Sequence, residues 1–254
     1  MNVSSWLAQA KSKSNDASLI LLSVIDPSLD QTWLVLHAED ELSAEQVAKA
    51  DALLARRAEG EPLAYLLGYK DFYGFKFAVD NSVLIPRPET EMVIDLVRDL
   101  RPKTVLDVGT GSGCIAVTLQ KFLLNAKAEA CDIEDKPLFR QNSRAILGFE
   151  LPFYKSDLLK KISKNFDVIV ANLPYVDGNW DFLSDSLRYE PENALYAEDG
   201  GLALIKRLII EAKGRCKYLV LESDPCQQDA ISEFATQNGY ELVKKAGYYQ
   251  IFGQ

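Results

Sequence analysis

The sequence predicts an α/β fold, a mostly parallel sheet with an antiparallel hairpin at one edge, preceded by a small all-α bundle. Three observations carry this expectation. Beyond residue 101, short apolar runs alternate with amphipathic segments of helical period. The first 70 residues show helical spacing and no strand alternation, and only Ala246-Gly247 separates the last two apolar runs.

Along the chain, Ser43-Ala-Glu-Gln46 has capping-box spacing ahead of Val47, Ala50, Leu53 and Leu54, which predicts an amphipathic helix ending near Gly60. Pro62 suits the first turn of a short helix running through Leu66, with Gly68 as its stop. The partial alternation of Phe72, Tyr73, Phe75, Phe77 and Val79 then reads as a strand or hairpin, punctuated afterwards by Pro86 and Pro88. Residues 90–100 read as a helix with Met92, Val93, Leu96 and Val97 on one face. Strands follow at 104–108, 128–133, 166–171 and 218–222, with a weaker one near Phe153, and helices at 114–124, 136–147, 202–212 and 227–238. Such alternation implies a parallel sheet covered on both faces. Strands at 241–245 and 248–252 close the chain as the edge hairpin.

Composition narrows the function. No apolar run approaches the roughly 20 residues of a membrane span, and residues 1–10 lack the basic and apolar regions of a signal peptide, so a cytoplasmic location is expected. Four cysteines without CxxC spacing and a single histidine, His37, argue against a zinc site, a disulfide framework or Ser-His chemistry. A net charge of −9 with no basic tract disfavours a primary nucleic-acid partner and leaves no expected metal. A monomer is expected.

The strongest local signal is Val105-Leu-Asp-Val-Gly109-Thr110-Gly111-Ser112-Gly113-Cys-Ile-Ala-Val117, a buried strand turning through glycines into a helix. Glycines at 109, 111 and 113 allow a sharp turn and close approach to a nucleotide-like ligand. A dinucleotide fingerprint would place its last glycine where Cys114 stands; the spacing after Asp107 resembles instead the cofactor loop of Rossmann-like methyltransferases. Asp132, 19 residues past Gly113 at the end of the next strand, is placed to accept both hydroxyls of a ribose. Asp157, after the third strand, is a candidate for an adenine amino group or a simple helix cap.

Asn172-Leu173-Pro174-Tyr175 leaves an apolar strand at the carboxyl edge of the sheet, where open α/β sheets bind ligands. An Asn side-chain oxygen and a neighbouring backbone carbonyl can each accept one N–H of a primary amide or amine, orienting a nitrogen whose lone pair is delocalised. Tyr175 would pack on the flat face of such a group. Positioning of this kind is worth up to roughly 7–11 kcal/mol in favourable cases.

With these motifs in view, the chain resembles the protein-(glutamine-N5) methyltransferases that modify class 1 peptide chain release factors. The likeness runs over nearly the whole chain. It includes 53–62, Ile85-Pro-Arg-Pro-Glu-Thr-Glu91, the glycine loop, the Asn172 tetrapeptide and 189–195 followed by Asp199-Gly-Gly-Leu202. The resemblance implies a class I methyltransferase fold, with Gly109 to Gly113, Asp132 and Asn172 binding S-adenosyl-L-methionine and Asn172, Leu173, Pro174 and Tyr175 holding the substrate glutamine. It also implies that Phe72 and Arg87 to Glu89 line the pocket. The organisation expected is a partner-binding helical bundle over 1–70, a hairpin linker over 71–86 and a methyltransferase domain over 87–254.

This chain departs from the family pattern in Leu173, where proline is usual, and in the stretches 222–226 and 244–249. Asn-Leu-Pro-Tyr also resembles the tetrapeptide of ribosomal-RNA adenine dimethyltransferases, so an N6-adenine methyltransferase acting on RNA or DNA is the alternative. A third possibility is a methyltransferase-like domain that binds without catalysis, against which the intact motif set argues.

Overall fold

A computed structural model describes residues 1–180 and 185–254 of the 254-residue chain. The described chain forms two compact units, one of residues 1–69 with 185–189, the other of residues 70–180 with 190–254.

The first unit holds α1 (Val3–Ala10), α2 (Ala17–Ile25), α3 (Gln31–Leu36), α4 (Ala44–Ala58) and α5 (Leu63–Leu67). Asn2 and Asp30 cap α1 and α3, and Ser43 and Gln46 form the expected capping box on α4. The buried face combines Val3, Trp6, Ile20, Leu21, Ala50 and Leu54. Polar ties over this core include Trp6 Nε1 to Asp51 at 2.9 Å and Arg57 Nε to Asp16 at 2.6 Å. Arg188 and Tyr189 donate to the Glu59 carbonyl, satisfying an acceptor at the carboxyl end of α4. Gly68, at φ 78°, ends α5 in the left-handed conformation that its sequence position suggests.

The second unit opens with a two-stranded hairpin, β1 (Tyr69–Phe72) and β2 (Phe75–Ala78), whose first residue falls at the boundary between the units. A 3₁₀ turn at Pro88–Glu91 leads into α6 (Met92–Asp99). Then come β3 (Thr104–Val108), α7 (Cys114–Phe122), β4 (Lys127–Asp132), α8 (Pro137–Leu147), β5 (Phe153–Lys155), β6 (Phe166–Ala171), α9 (Glu192–Leu195), α10 (Ala203–Ala212), β7 (Cys216–Glu222), α11 (Gln228–Gln237), β8 (Glu241–Ala246) and β9 (Tyr249–Gly253). The seven-stranded sheet has the order β5-β4-β3-β6-β7-β9-β8, with β9 antiparallel to both β7 and β8. One apolar layer packs α6, α7 and α8 on one face, the other packs α10 and α11 on the opposite face.

Two details differ from the sequence reading. Met92 is 43% exposed and Ile94 is fully buried, because the 3₁₀ turn starts the helix at Met92 and sets its phase differently. Phe72 is 1% exposed and meets Phe77 edge-on, so it is a core aromatic and not a pocket residue. No described helix is long and apolar enough to cross a membrane.

Candidate active site

Strand order places the site. The chain runs β3, β4, β5 outward in one direction, then returns to the other side of β3 with β6. The carboxyl ends of β3 and β6 flank the resulting crevice, as at ligand sites of open α/β sheets. There a cavity of about 410 Å³ is lined by Gly109 to Ser112, Asp132, Ser156 to Leu158, Asn172 to Pro174 and the segment around Arg87 and Thr90, among others. Its size is that of a site for a nucleoside-sized ligand.

Asp107 organises the glycine loop from beneath. Buried at the end of β3, it accepts the Thr110 hydroxyl at 2.6 Å and the Ala116 N–H at 3.1 Å, tying the loop to the first turn of α7. Burial pushes its carboxyl up to about 7, against the pull of those two bonds. Gly109 and Thr110 both donate to the Cys131 carbonyl, so the turn rests on the neighbouring strand. Asp132 accepts the Gly111 N–H at 3.0 Å and the Glu134 N–H at 3.2 Å, with the buried Lys136 ammonium 3.9 Å away. Its acceptor sites beyond these bonds are available to the cavity that it lines.

The glycines divide their work. Gly111, at φ 54°, lies on the cavity wall with open space where a Cβ would stand. Gly113 is not on that wall. A Cβ there would come within 2.7 Å of the Phe139 ring, so its glycine serves the packing of α8 on α7 and not ligand approach. Asn142 of α8 completes this support, donating to the Ser112 carbonyl at 2.9 Å and bonding both polar groups of Ala78 at the end of β2.

Asp157 lines the cavity with its carboxylate already engaged by Lys160 at 2.6 Å and Arg207 at 2.9 Å. The hydrogen bond from Lys160 leads in holding that carboxyl below the usual range. The side chain therefore lines the cavity while holding two ion pairs.

The tetrapeptide is held from behind. Asn172 Nδ2 donates to Thr90 Oγ1 at 3.3 Å, and the Thr90 hydroxyl donates to Glu222 Oε2 at 3.0 Å. Leu173 is 4% exposed, packed among the apolar residues of the sheet and against Gly109, where a Cβ would stand 3.0 Å from its Cδ2. Tyr175 is not among the residues lining the cavity, where its sequence suggests a stacking position; its hydroxyl donates to Glu222 Oε1 at 3.3 Å. Burial, then the neighbouring Glu222 charge, push its phenol far above the usual range. The Tyr175 carbonyl in turn accepts from Gln227 Nε2 at 2.8 Å, and Gln227 also reaches the Gly200 carbonyl.

Two buried glutamates organise the segment 85–91; Glu190 lies in the stretch 189–195 and Glu222 opens the departing stretch 222–226, neither with a role in the sequence reading. Glu190 accepts the Ile85 N–H at 3.0 Å and pairs with Arg87. Glu222 receives hydrogen bonds from Thr90, Tyr175 and Tyr249. Arg87 and Thr90 reach the cavity wall, whereas Pro88 and Glu89 do not. The one available signal for Glu222 was an acidic residue ending the apolar run Tyr218-Leu-Val-Leu. Lys136, buried on the wall beside Asp132, carried no signal at all.

Comparison with known proteins agrees with this geometry. Residues 2–68 match the family described as PrmC N-terminal domain, and residues 88–211 the family described as methyltransferase small domain. A release factor glutamine methyltransferase of Koribacter versatilis (strain Ellin345) is 41% identical, over 80% of this chain and 75% of that protein. The protein of that name from Neisseria gonorrhoeae (strain ATCC 700825 / FA 1090) is 35% identical, over 96% of this chain and 92% of its own. Among solved structures, a methyltransferase from Pyrococcus furiosus superposes with a TM-score of 0.53 at 20% identity, over 81% of this chain and 98% of that one, a likeness of fold alone. The same holds for the hMettl16 catalytic domain in complex with the MAT2A 3'UTR hairpin 6, with a TM-score of 0.53 at 16% identity over 89% and 92% of the two chains. The site and the sequence relationships together place this chain in the release factor glutamine methyltransferase family.

Proposed function

We propose that the protein transfers a methyl group from S-adenosylmethionine to the N5 amide nitrogen of the glutamine in the glycine-glycine-glutamine loop of class 1 peptide chain release factors, acting as a monomer in the cytoplasm. The observation that carries this reading is the Asn172 side chain, on the cavity wall with its nitrogen directed to Thr90, which leaves its oxygen for a substrate N–H. Family membership supplies glutamine as the bearer of that N–H.

The residues present fit the methyl donor. Gly111 leaves open the space a Cβ would fill, and Asp132 stands beside it with acceptor capacity for ribose hydroxyls. S-adenosylmethionine, when bound, supplies a sulfonium methyl whose carbon–sulfur bond breaks as the carbon–nitrogen bond forms. Asn172 Oδ1 and the Leu173 carbonyl would accept the two amide N–H groups, orienting the nitrogen and stabilising the positive charge that develops on it. The surplus proton leaves from one of these bonds to solvent, so the step requires no strong base.

Asp132→Asn keeps the size of the side chain and removes its charge. Titration calorimetry is expected to show at least a tenfold weaker cofactor affinity, about 1.4 kcal/mol, and an unchanged affinity would remove Asp132 from the assigned role.

The helical unit is proposed to engage the factor; Val35 and Leu36 of α3, 76% and 77% exposed, offer it apolar contact. The charge of −9 disfavours RNA or DNA as substrate. Labelled cofactor offered with a purified release factor and, separately, with adenine-containing RNA and DNA tests the choice. Label is expected on the factor, and label confined to nucleic acid would reverse the reading.

A further inference from the structure

Glu222 is 2% exposed at the end of β7, beside the strand that delivers Asn172, and does not reach the cavity. Thr90 and Tyr249 donate to its Oε2 and Tyr175 to its Oε1. Three donors from three separate stretches of chain therefore converge on one carboxylate. Burial raises its pKa, and the hydrogen bonds it accepts oppose that rise. A buried carboxylate without such donors would be costly, and with them it becomes a rigid acceptor.

The hydroxyl of Thr90 has a single proton. Donated to Glu222, it leaves Thr90 only lone pairs toward Asn172, which fixes Nδ2 inward and turns Oδ1 to the cavity. We infer that Glu222 is a positioning residue that sets the polarity of the Asn172 amide and so makes the site accept an N–H donor. This inference rests on the function proposed above. A carboxylate in place of the substrate amide, as in a loop glutamate, would meet two acceptors and offer neither of them a proton.

Glu222→Gln keeps the shape and brings donors of its own. Thr90 can then accept from position 222 and direct its proton at Asn172, freeing that amide to flip. Three readouts separate this from a structural role. In Glu222→Gln, kcat on a release factor is expected to fall at least about thirtyfold, with cofactor affinity within about threefold of wild type and Tm unchanged or higher. Thr90→Val, which cuts the link while leaving Glu222 in place, is expected to lower kcat in the same direction, and it serves alone if the first variant does not fold. Hydrogen exchange of the Asn172 side-chain amide, followed by NMR, is expected to quicken at least about tenfold in either variant. Wild-type kcat in a folded variant, a loss expressed only as cofactor affinity, or unchanged amide exchange would overturn the assignment. A wild-type protein that leaves release factors unmethylated would count against the functional reading instead, and amide exchange would still decide the role of Glu222.

Discussion

Asn172→Ala is expected to lower kcat for methyl transfer by about a thousandfold or more while cofactor affinity changes by less than about tenfold. The asymmetry follows from where the side chain is held. Its amide sits on the cavity wall and is anchored through Thr90 to Glu222, whereas the proposed ribose contact is made by Asp132. On the roles proposed above, truncation leaves the Asp132 side of the cavity intact and removes the acceptor for the substrate nitrogen. Because the substrate nitrogen gains positive charge only as the new bond forms, the lost interaction is worth most at the transition state. Single-turnover transfer and calorimetric cofactor binding, measured on one preparation, check both halves. Turnover within tenfold of wild type would remove Asn172 from the catalytic role.

Gly201→Ala should be the most damaging small change outside the cavity wall. A Cβ at Gly201 would overlap the Tyr175 carbonyl and crowd Gln227 Nε2, the groups that fix the end of the tetrapeptide, and the residue sits at φ 83°. Left-handed strain and steric overlap together are expected to cost about 3–5 kcal/mol, lowering the apparent Tm by roughly 10 °C. Gly200→Ala is the internal control. At φ 63° it meets nothing nearer than Asp177 Oδ2 at 4.0 Å, so only the strain of about 1–2 kcal/mol applies. Equal Tm values for the two variants would show that the Tyr175 contact is unimportant.

The sequence made the frame legible where the signal is local. Strand and helix periodicity located the elements of the parallel sheet within a few residues, and the two-residue separation near Gly247 located the β8–β9 hairpin. The glycine loop, Asp132 and the Asn172 tetrapeptide were visible because each lies within a short window at the carboxyl end of a strand. What supports them was not visible. Thr90 and Glu222 are 132 positions apart, Arg87 and Glu190 are 103 apart, and no periodicity links such pairs. Tyr175 and Gly113 had the right identities for ligand contact, yet tertiary neighbours decided otherwise: Glu222 holds the phenol, and Phe139 occupies the space beside the glycine. Met92 was assigned to the wrong face because a 3₁₀ turn, absent from an ideal helical count, precedes it.

Localising the methyl group tests the central claim most directly. After incubation with the protein and S-adenosylmethionine, a purified class 1 release factor is digested and the loop peptide sequenced by tandem mass spectrometry, alongside a factor carrying alanine for the loop glutamine. The expected result is one added methyl on the glutamine side chain and none anywhere on the alanine variant. A methyl that persists on the alanine variant, or that maps to another residue, would contradict the account.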